Sequence, residues 1–245
     1  MITLERIKNE SHREYAYRVM RYNILQFEMK PGEIINEAKI ADELNISRTP
    51  VHEAVYQLRD ERLIEIIPRK ESKVTLINMS CVNEGFFIRC AVEPAIIRLA
   101  SNHLSPKEIS WFYANLEKQR ELQGDETKVR MFFQYDDEFH KKIFMIANKP
   151  ETYASVLRVI SHLDRIRYLV RILGKFNVET VSYEEHLEIF NMLLLGVMDK
   201  YNLERFIYNH IIRFADFLPN LLKEYPYYFN VNSDLLKNRE EIRLI

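Results

Sequence analysis

From Met79 to about residue 223, apolar side chains return every three or four positions. A helical period sustained over that length restricts the fold more than any other feature, because a strand pattern alternates every second residue. The run breaks at Ser105-Pro106, Gly124-Asp125, Asn148-Lys149-Pro150 and Gly174, which predicts six helices over about 80–102, 105–123, 126–147, 150–173, 179–199 and 201–223. Ser105-Pro106 with Glu108 is a helix start of the capping-box kind. Five glycines in 245 residues leave little turn chemistry for a β-sandwich or barrel.

Residues 1–78 carry a different pattern. Tyr15, Val19, Tyr22, Ile24 and Leu25 suit an amphipathic helix that stops at Lys30-Pro31-Gly32. Asn36 caps a short helix over Glu37–Leu44, Asn45-Ile46-Ser47 breaks it, and Ser47 caps a third helix from Arg48 to about Arg62. Pro50 falls in the first turn of that helix, where proline is tolerated. Two strand-like runs, Leu63–Ile67 and Lys73–Ile77, flank the polar turn Pro68 to Ser72. Three helices and a hairpin describe a winged helix-turn-helix. The chain is therefore expected to be mostly α: a winged helix-turn-helix over 1–78, an all-α six-helix bundle over 79–225, and an unassigned tail over 226–245.

The longest apolar stretch, Met192 to Met198, is far short of the roughly 20 residues of a membrane span. Met1 to Ser11 is charged and lacks the apolar centre of a signal peptide. Cys81 and Cys90 are too few for a disulfide framework or a thiolate zinc site. A cytoplasmic protein with no membrane partner is expected.

A helix-turn-helix reads duplex DNA with the N-terminal residues of its second helix. Here these are Ser47, Arg48, Thr49 and His52, with Tyr56 a turn further. Arg48 suits guanine, and Thr49 and the helix N-terminus suit phosphate. Arg69, Lys70 and Lys73 of the wing suit the backbone or minor groove. Residues 1–78 balance 13 Lys and Arg against 13 Asp and Glu, so net charge does not favour DNA over an ordinary three-helix module.

Polar residues interrupt three apolar stripes of the helical region. Val129, Phe133, Asp136, His140 and Phe144 share one face; Tyr183, His186, Phe190 and Leu193 share a second; Leu203, Phe206, His210 and Phe214 share a third. Each histidine alone also fits a hydrogen-bonded core position, and Asp137 rivals Asp136 for the place beside His140. Together, three histidines and a carboxylate suit a divalent transition metal such as Zn, Ni, Mn or Fe, with one or two positions open for water or a carboxylate. Arg89, on a stripe with Phe86 and Glu93, fits either a clamp for a carboxylate ligand or an ion pair with Glu93. Arg165, Arg167 and Arg171 are further effector candidates, whereas His103 and His162 carry no distinguishing pattern.

Pro31-Gly32-Glu33-Ile34-Ile35-Asn36-Glu37, Ile40-Ala41, then Ile46 to Val55 with Ser47-Arg48-Thr49-Pro50-Val51 at its centre, resemble the DNA-binding domain of GntR-type bacterial transcription regulators. This chain has His52 where the family usually has Arg, Arg62 where it has Gly, and Glu71 where the wing has Gly. Phe87-Ile88-Arg89 with Glu93, Asp136 to His140 with Asn148, Glu185 to Ile189, and His210 resemble the FadR C-terminal domain type, FCD. The resemblance implies a metal site on Asp136, His140, His186 and His210, with Arg89 toward the effector. Six helices resemble the VanR-like branch. The resemblance further implies a homodimer, with apolar faces left over on the first and fourth of the six helices. It implies a regulator, and by preference a repressor, of a pseudo-palindromic operator, modulated by a small organic acid. The alternatives are a helical-bundle metalloenzyme and a metal-free sensor module. The enzyme is disfavoured: no paired Glu-x-x-His, nucleophile elbow, P-loop or dinucleotide-binding glycine pattern is present.

Overall fold

The computed structural model describes residues 1–123, 125, 128–172, 178–196 and 200–230. Ser11 opens α1 (His12–Leu25) with a capping box shared with Glu14. Asn36 caps α2 (Glu37–Leu44) by accepting the Lys39 N–H, and Asn45 ends it in the left-handed region at φ 53°. Ser47 then starts α3 (Arg48–Asp60). Val19, Met20 and Ile24 of α1 pack with Val51, Val55 and Leu58 of α3 in a fully buried core. β1 (Ile64–Ile66) pairs antiparallel with β2 (Ser72–Val74), Ile64 opposite Val74 and Ile66 opposite Ser72. These elements are a winged helix-turn-helix.

Arg62 ends the α3 turn at φ 60°. A left-handed residue costs about 1–2 kcal/mol unless it is glycine, so Arg62 occupies a position where glycine would be unstrained. The left-handed residue of the wing is Arg69 at φ 62°, two positions before Glu71.

Asn78 caps α4 (Met79–Ala100) by accepting the Ser80 N–H. The helical region continues with α5 (Pro106–Glu121), α6 (Val129–Ile146), α7 (Pro150–Val159) and α8 (Ser161–Ile172). It ends with α9 (Val178–Leu195), α10 (Lys200–Ile212), a 3-10 turn over Arg213–Phe217 and α11 (Leu218–Glu224). A second core fills it, with Phe86, Phe112, Phe133, Phe139 and Phe190 all buried. α4 is its axis, packed on α6, α7, α8 and α10.

The helix expected over 150–173 is two helices that meet at Ile160. The junction presses on Gly85 of α4, where an added Cβ would lie 3.2 Å from both Ile160 Cα and Leu163 Cβ. The helix expected over 201–223 is also divided. Pro219 cannot accept a preceding α-helical turn without clashing with the carbonyl of residue 215, and the chain tightens to 3-10 geometry there. The breaks expected at Gly124 and Gly174 lie outside the described residues.

The first part of the supposed tail is ordered by pairing. β4 (Phe229–Asn230) runs parallel to β3 (Ile77–Asn78), Ile77 opposite Phe229. In the second half of the fourth expected helix, residues 161–170 of α8, all but Arg167 are buried, while Tyr153, Leu157 and Val159 of α7 are half-buried. The first expected helix, α4, carries exposed apolar residues, Phe87 at 55% and Leu99 at 51%. Among the described residues no helix is long and apolar enough to cross a membrane.

Candidate metal centre and nucleic-acid interface

The N-terminal turn of α3 presents Ser47, Arg48 and Thr49 to solvent, followed by His52 and Tyr56 along the helix. Pro50 is half-buried within that turn. The Ser47 side chain makes no capping bond, so its hydroxyl remains available to an incoming phosphate. His52 is engaged: its Nδ1 lies 3.0 Å from Glu37 Oε2, and its ring meets Tyr56 edge-on at 4.9 Å. On the wing, Arg69 and Lys70 are exposed at the tip, while Lys73 sits 3.3 Å from Glu65.

The three stripe histidines converge. His140, His186 and His210 are buried and each offers a ring nitrogen within 4.8 Å of the other two. The reason lies in what holds each Nδ1. His210 Nδ1–H donates to Glu185 Oε2 at 2.8 Å, and His186 Nδ1–H donates to Gln119 Oε1 at 2.6 Å. His140 Nδ1 faces Glu93 Oε2 at 3.4 Å. The Gln119 amide cannot turn over, since its NH2 donates to Asn115 Oδ1, whose own NH2 donates to the Tyr135 carbonyl. With the Nδ1 sides committed, the Nε2 sides point inward, and His140 Nε2 stands 3.4 Å from His210 Nε2. Two nitrogens bonded to one tetrahedral ion at roughly 2.05 Å would be about 3.3 Å apart. Carboxylate or amide partners on the outer nitrogen are the usual setting of metal-binding histidines. The donor set therefore fits a divalent transition metal.

Asp136 adjoins this group. Its Oδ1 lies 3.6 Å from His186 Nε2, while Oδ2 accepts a hydrogen bond from Arg167 at 2.6 Å. Its rival Asp137 points elsewhere, toward the Tyr168 hydroxyl. Burial pushes the Glu93 carboxyl up, but the adjacent Arg89 and His140 outweigh burial and hold it well below the carboxylate range. Burial lowers His210, the hydrogen bond to Glu185 opposes that shift, and the nearby His140 adds to it.

A cavity of about 40 Å3 abuts the histidines, lined by Arg89, Asp136, Arg167, His210 and Arg213. Arg89 is ion-paired with Glu93, Arg213 with Glu185, and Arg167 bridges Asp136 and Asp164. Arg89 thus forms the ion pair that one sequence reading gave it, and it also lines the cavity. Arg165 does not reach this cavity, and the Arg171 side chain lies outside the described residues.

Arg165 and His162 instead join the two regions. Arg165 is fully buried, and its guanidinium donates to Thr75 O at 2.8 Å and Thr75 Oγ1 at 3.3 Å. His162 Nδ1 accepts the Asn78 N–H at 3.1 Å, and its Nε2–H donates to Arg62 O at 2.9 Å. Ser161 donates to Glu61 O at 3.0 Å. Three side chains of α8 so grip the end of α3 and the exit of the wing. Burial first, and then the charge of Arg165, push His162 down to about 4. Sequence reasoning gave His162 no role and placed Arg165 among effector residues, because these partners are 84 to 100 positions away.

The bacterial regulatory protein gntR family matches residues 13–74 and the FCD domain matches residues 84–212. The HTH-type transcriptional repressor RspR of Escherichia coli (strain K12) is 30% identical over 180 residues, 74% of this chain and 78% of that protein. The Nta operon transcriptional regulator of Aminobacter aminovorans is 28% identical over 169 residues, 69% of this chain and 77% of that protein. The solved structure of E. coli McbR/YncC superposes with a TM-score of 0.71 at 18% identity, covering 88% of this chain and 99% of that one, a likeness of fold.

Proposed function

Since this chain belongs to the GntR family of bacterial transcription regulators and carries an FCD domain, we propose that it represses transcription until a small carboxylate binds beside a divalent metal in its helical region. It is a DNA-binding regulator and not an enzyme. Residues 1–78 serve as the DNA-binding domain and 79–225 as the effector-binding and dimerisation domain. Ser47, Arg48, Thr49, Pro50 and His52 contact the operator, with Arg69, Lys70 and Lys73 on its backbone.

One observation carries the sensor reading. Three histidines from three helices turn the same nitrogen inward, beside a cavity lined by three arginines. His140, His186, His210 and Asp136 hold the ion, which supplies Lewis-acid positions for an acid group. Arg89 and its neighbours supply the charge that a carboxylate requires. A cavity of about 40 Å3 admits the acid group of a small effector, and a larger acid displaces the surrounding helices.

The coupling follows from α8. Arg167 holds Asp136 beside the histidines, and on the same helix Ser161 and His162 hold the end of α3 while Arg165 holds the exit of the wing at Thr75. An acid that draws Arg167 away from Asp136 shifts the helix that positions the recognition helix. In a homodimer this changes the spacing of two recognition helices, and with it the affinity for a pseudo-palindromic site.

The test begins with selection of genomic fragments by the purified protein at low and moderate salt. One short inverted repeat is expected at both, since specific binding outlasts purely phosphate-driven binding. Calorimetry with sugar acids and dicarboxylates then finds one micromolar binder that weakens operator binding. No enriched sequence, or no acid that acts, contradicts the proposal. Metal analysis of the purified protein separates it from a metal-free sensor.

A further inference from the structure

His52 stands on the exposed face of α3, one turn beyond Arg48 and Thr49, with its side chain 56% exposed. Two contacts hold its ring. Nδ1 lies 3.2 Å and 3.0 Å from the two carboxylate oxygens of Glu37, the first residue of α2. Tyr56, one turn further along α3, meets the ring edge-on at 4.9 Å, and Arg59 Cζ sits 4.7 Å over the Tyr56 ring. A row of Glu37, His52, Tyr56 and Arg59 therefore runs from α2 along α3. A ring held in this way before DNA arrives has less rotamer freedom to lose on binding.

The partner decides what the ring presents. An ionised carboxylate only accepts hydrogen bonds, so the nitrogen beside it carries the proton, and Nδ1–H donates to Glu37. In a neutral imidazole the other nitrogen is then an acceptor. Among the described residues His52 makes its hydrogen bonds through Nδ1 and none through Nε2. An arginine at this place would present donors alone, which match the O6 and N7 acceptors of guanine. A single acceptor matches the opposite chemistry: the amino group that cytosine and adenine show in the major groove and that guanine and thymine do not.

We propose that His52 determines operator specificity by accepting, through Nε2, a hydrogen bond from the major-groove amino group of one cytosine or adenine in each half-site, and that Glu37 is the positioning residue that sets this polarity. The inference rests on the operator contact proposed above and names the base chemistry that contact selects. It does not require the metal or the effector.

Selection from randomised DNA duplexes at pH 8 by the natural full chain, by His52→Arg and by Glu37→Gln tests it. The three should enrich the same inverted repeat and differ in one column of each half-site. Read on one strand, that column should be cytosine or adenine for the natural chain and guanine for His52→Arg. Glu37→Gln should lose the preference in that column alone, because an amide both donates and accepts and so holds either form of the ring. Its melting temperature should match that of the natural chain. Deleting the amino group of that base, with 2-pyrimidinone for cytosine or purine for adenine, should weaken the natural chain about threefold to tenfold more than it weakens His52→Ala. This comparison serves as the test if Glu37→Gln does not fold. An enriched repeat with no changed column, guanine in that column for both the natural chain and His52→Arg, a preference that survives Glu37→Gln, or equal losses in the natural chain and His52→Ala overturns the inference and leaves the operator reading standing. A natural chain that enriches no repeat overturns both.

Discussion

Ser47, Arg48, Thr49 and His52 lie within six consecutive residues and stay exposed, whereas His140 and His210 are 70 positions apart and buried together. The first group works by presentation: a tight turn and a proline in the first helical turn set a helix end toward solvent. The second works by enclosure. Every histidine is aimed by a partner behind it, Glu93, Gln119 or Glu185. A change in the exposed group should alter what the surface touches and little else. A change in the enclosed group should remove one of three converging nitrogens and also leave a buried polar partner without its bond.

The largest contrast is expected from His186→Ala. Loss of one of three converging nitrogens should lower metal affinity more than about 100-fold, beyond the 10–100-fold typical of the partners behind such ligands. Added zinc should raise the melting temperature of the natural chain and not that of the variant. Zinc-free operator binding should remain, and its loss would break the separation between the two regions.

His162 joins the regions and titrates. Burial, and then Arg165 on its own helix, oppose its charging and outweigh the hydrogen bond to the Arg62 carbonyl, so its folded pKa of about 4 lies below the ordinary 6.5. The folded state binds fewer protons there, so the contribution is complete above about 6.5 and lost as pH falls toward 4. At most about 3 kcal/mol is at stake. Denaturant unfolding from pH 7 to 4 should show a steeper loss for the natural chain than for His162→Gln. Equal slopes would remove His162 from the joint.

Arg48→Ala should cost about 1–3 kcal/mol of operator affinity, measured by fluorescence anisotropy. Its zinc-dependent melting should match that of the natural chain. The smallest effect expected is that of Ser47→Ala on stability. An N-cap usually contributes about 1 kcal/mol, but this hydroxyl makes no capping bond, so a change within about 0.5 kcal/mol is expected from thermal unfolding. A full capping loss would show that Ser47 is spent on the helix and not on DNA.

The same contrast explains what was legible in the sequence. Asn36 and Ser105 announce helix starts because capping acts within three residues, and Ser47 stands at the cap position of α3 without a capping bond. Asp136 with His140, and His186 and His210, stand out because they interrupt apolar stripes. The Arg89–Glu93 pair was one of two open readings because i and i+4 are neighbours on any helix. Gln119 was invisible, since its partner His186 is 67 positions away. So were Arg165 and His162, whose partners belong to the other region. The division at Ile160 has no glycine or proline to mark it and follows from the close passage of Gly85. Pro219 was a mark for the last break.

The most direct test of the link between the two regions is operator affinity of the natural chain and of His186→Ala, each with zinc and a titrated carboxylate. The acid is expected to weaken binding of the natural chain at least about tenfold, a coupling of about 1.4 kcal/mol, and to leave the variant unchanged. An equal response in both proteins would contradict the central claim.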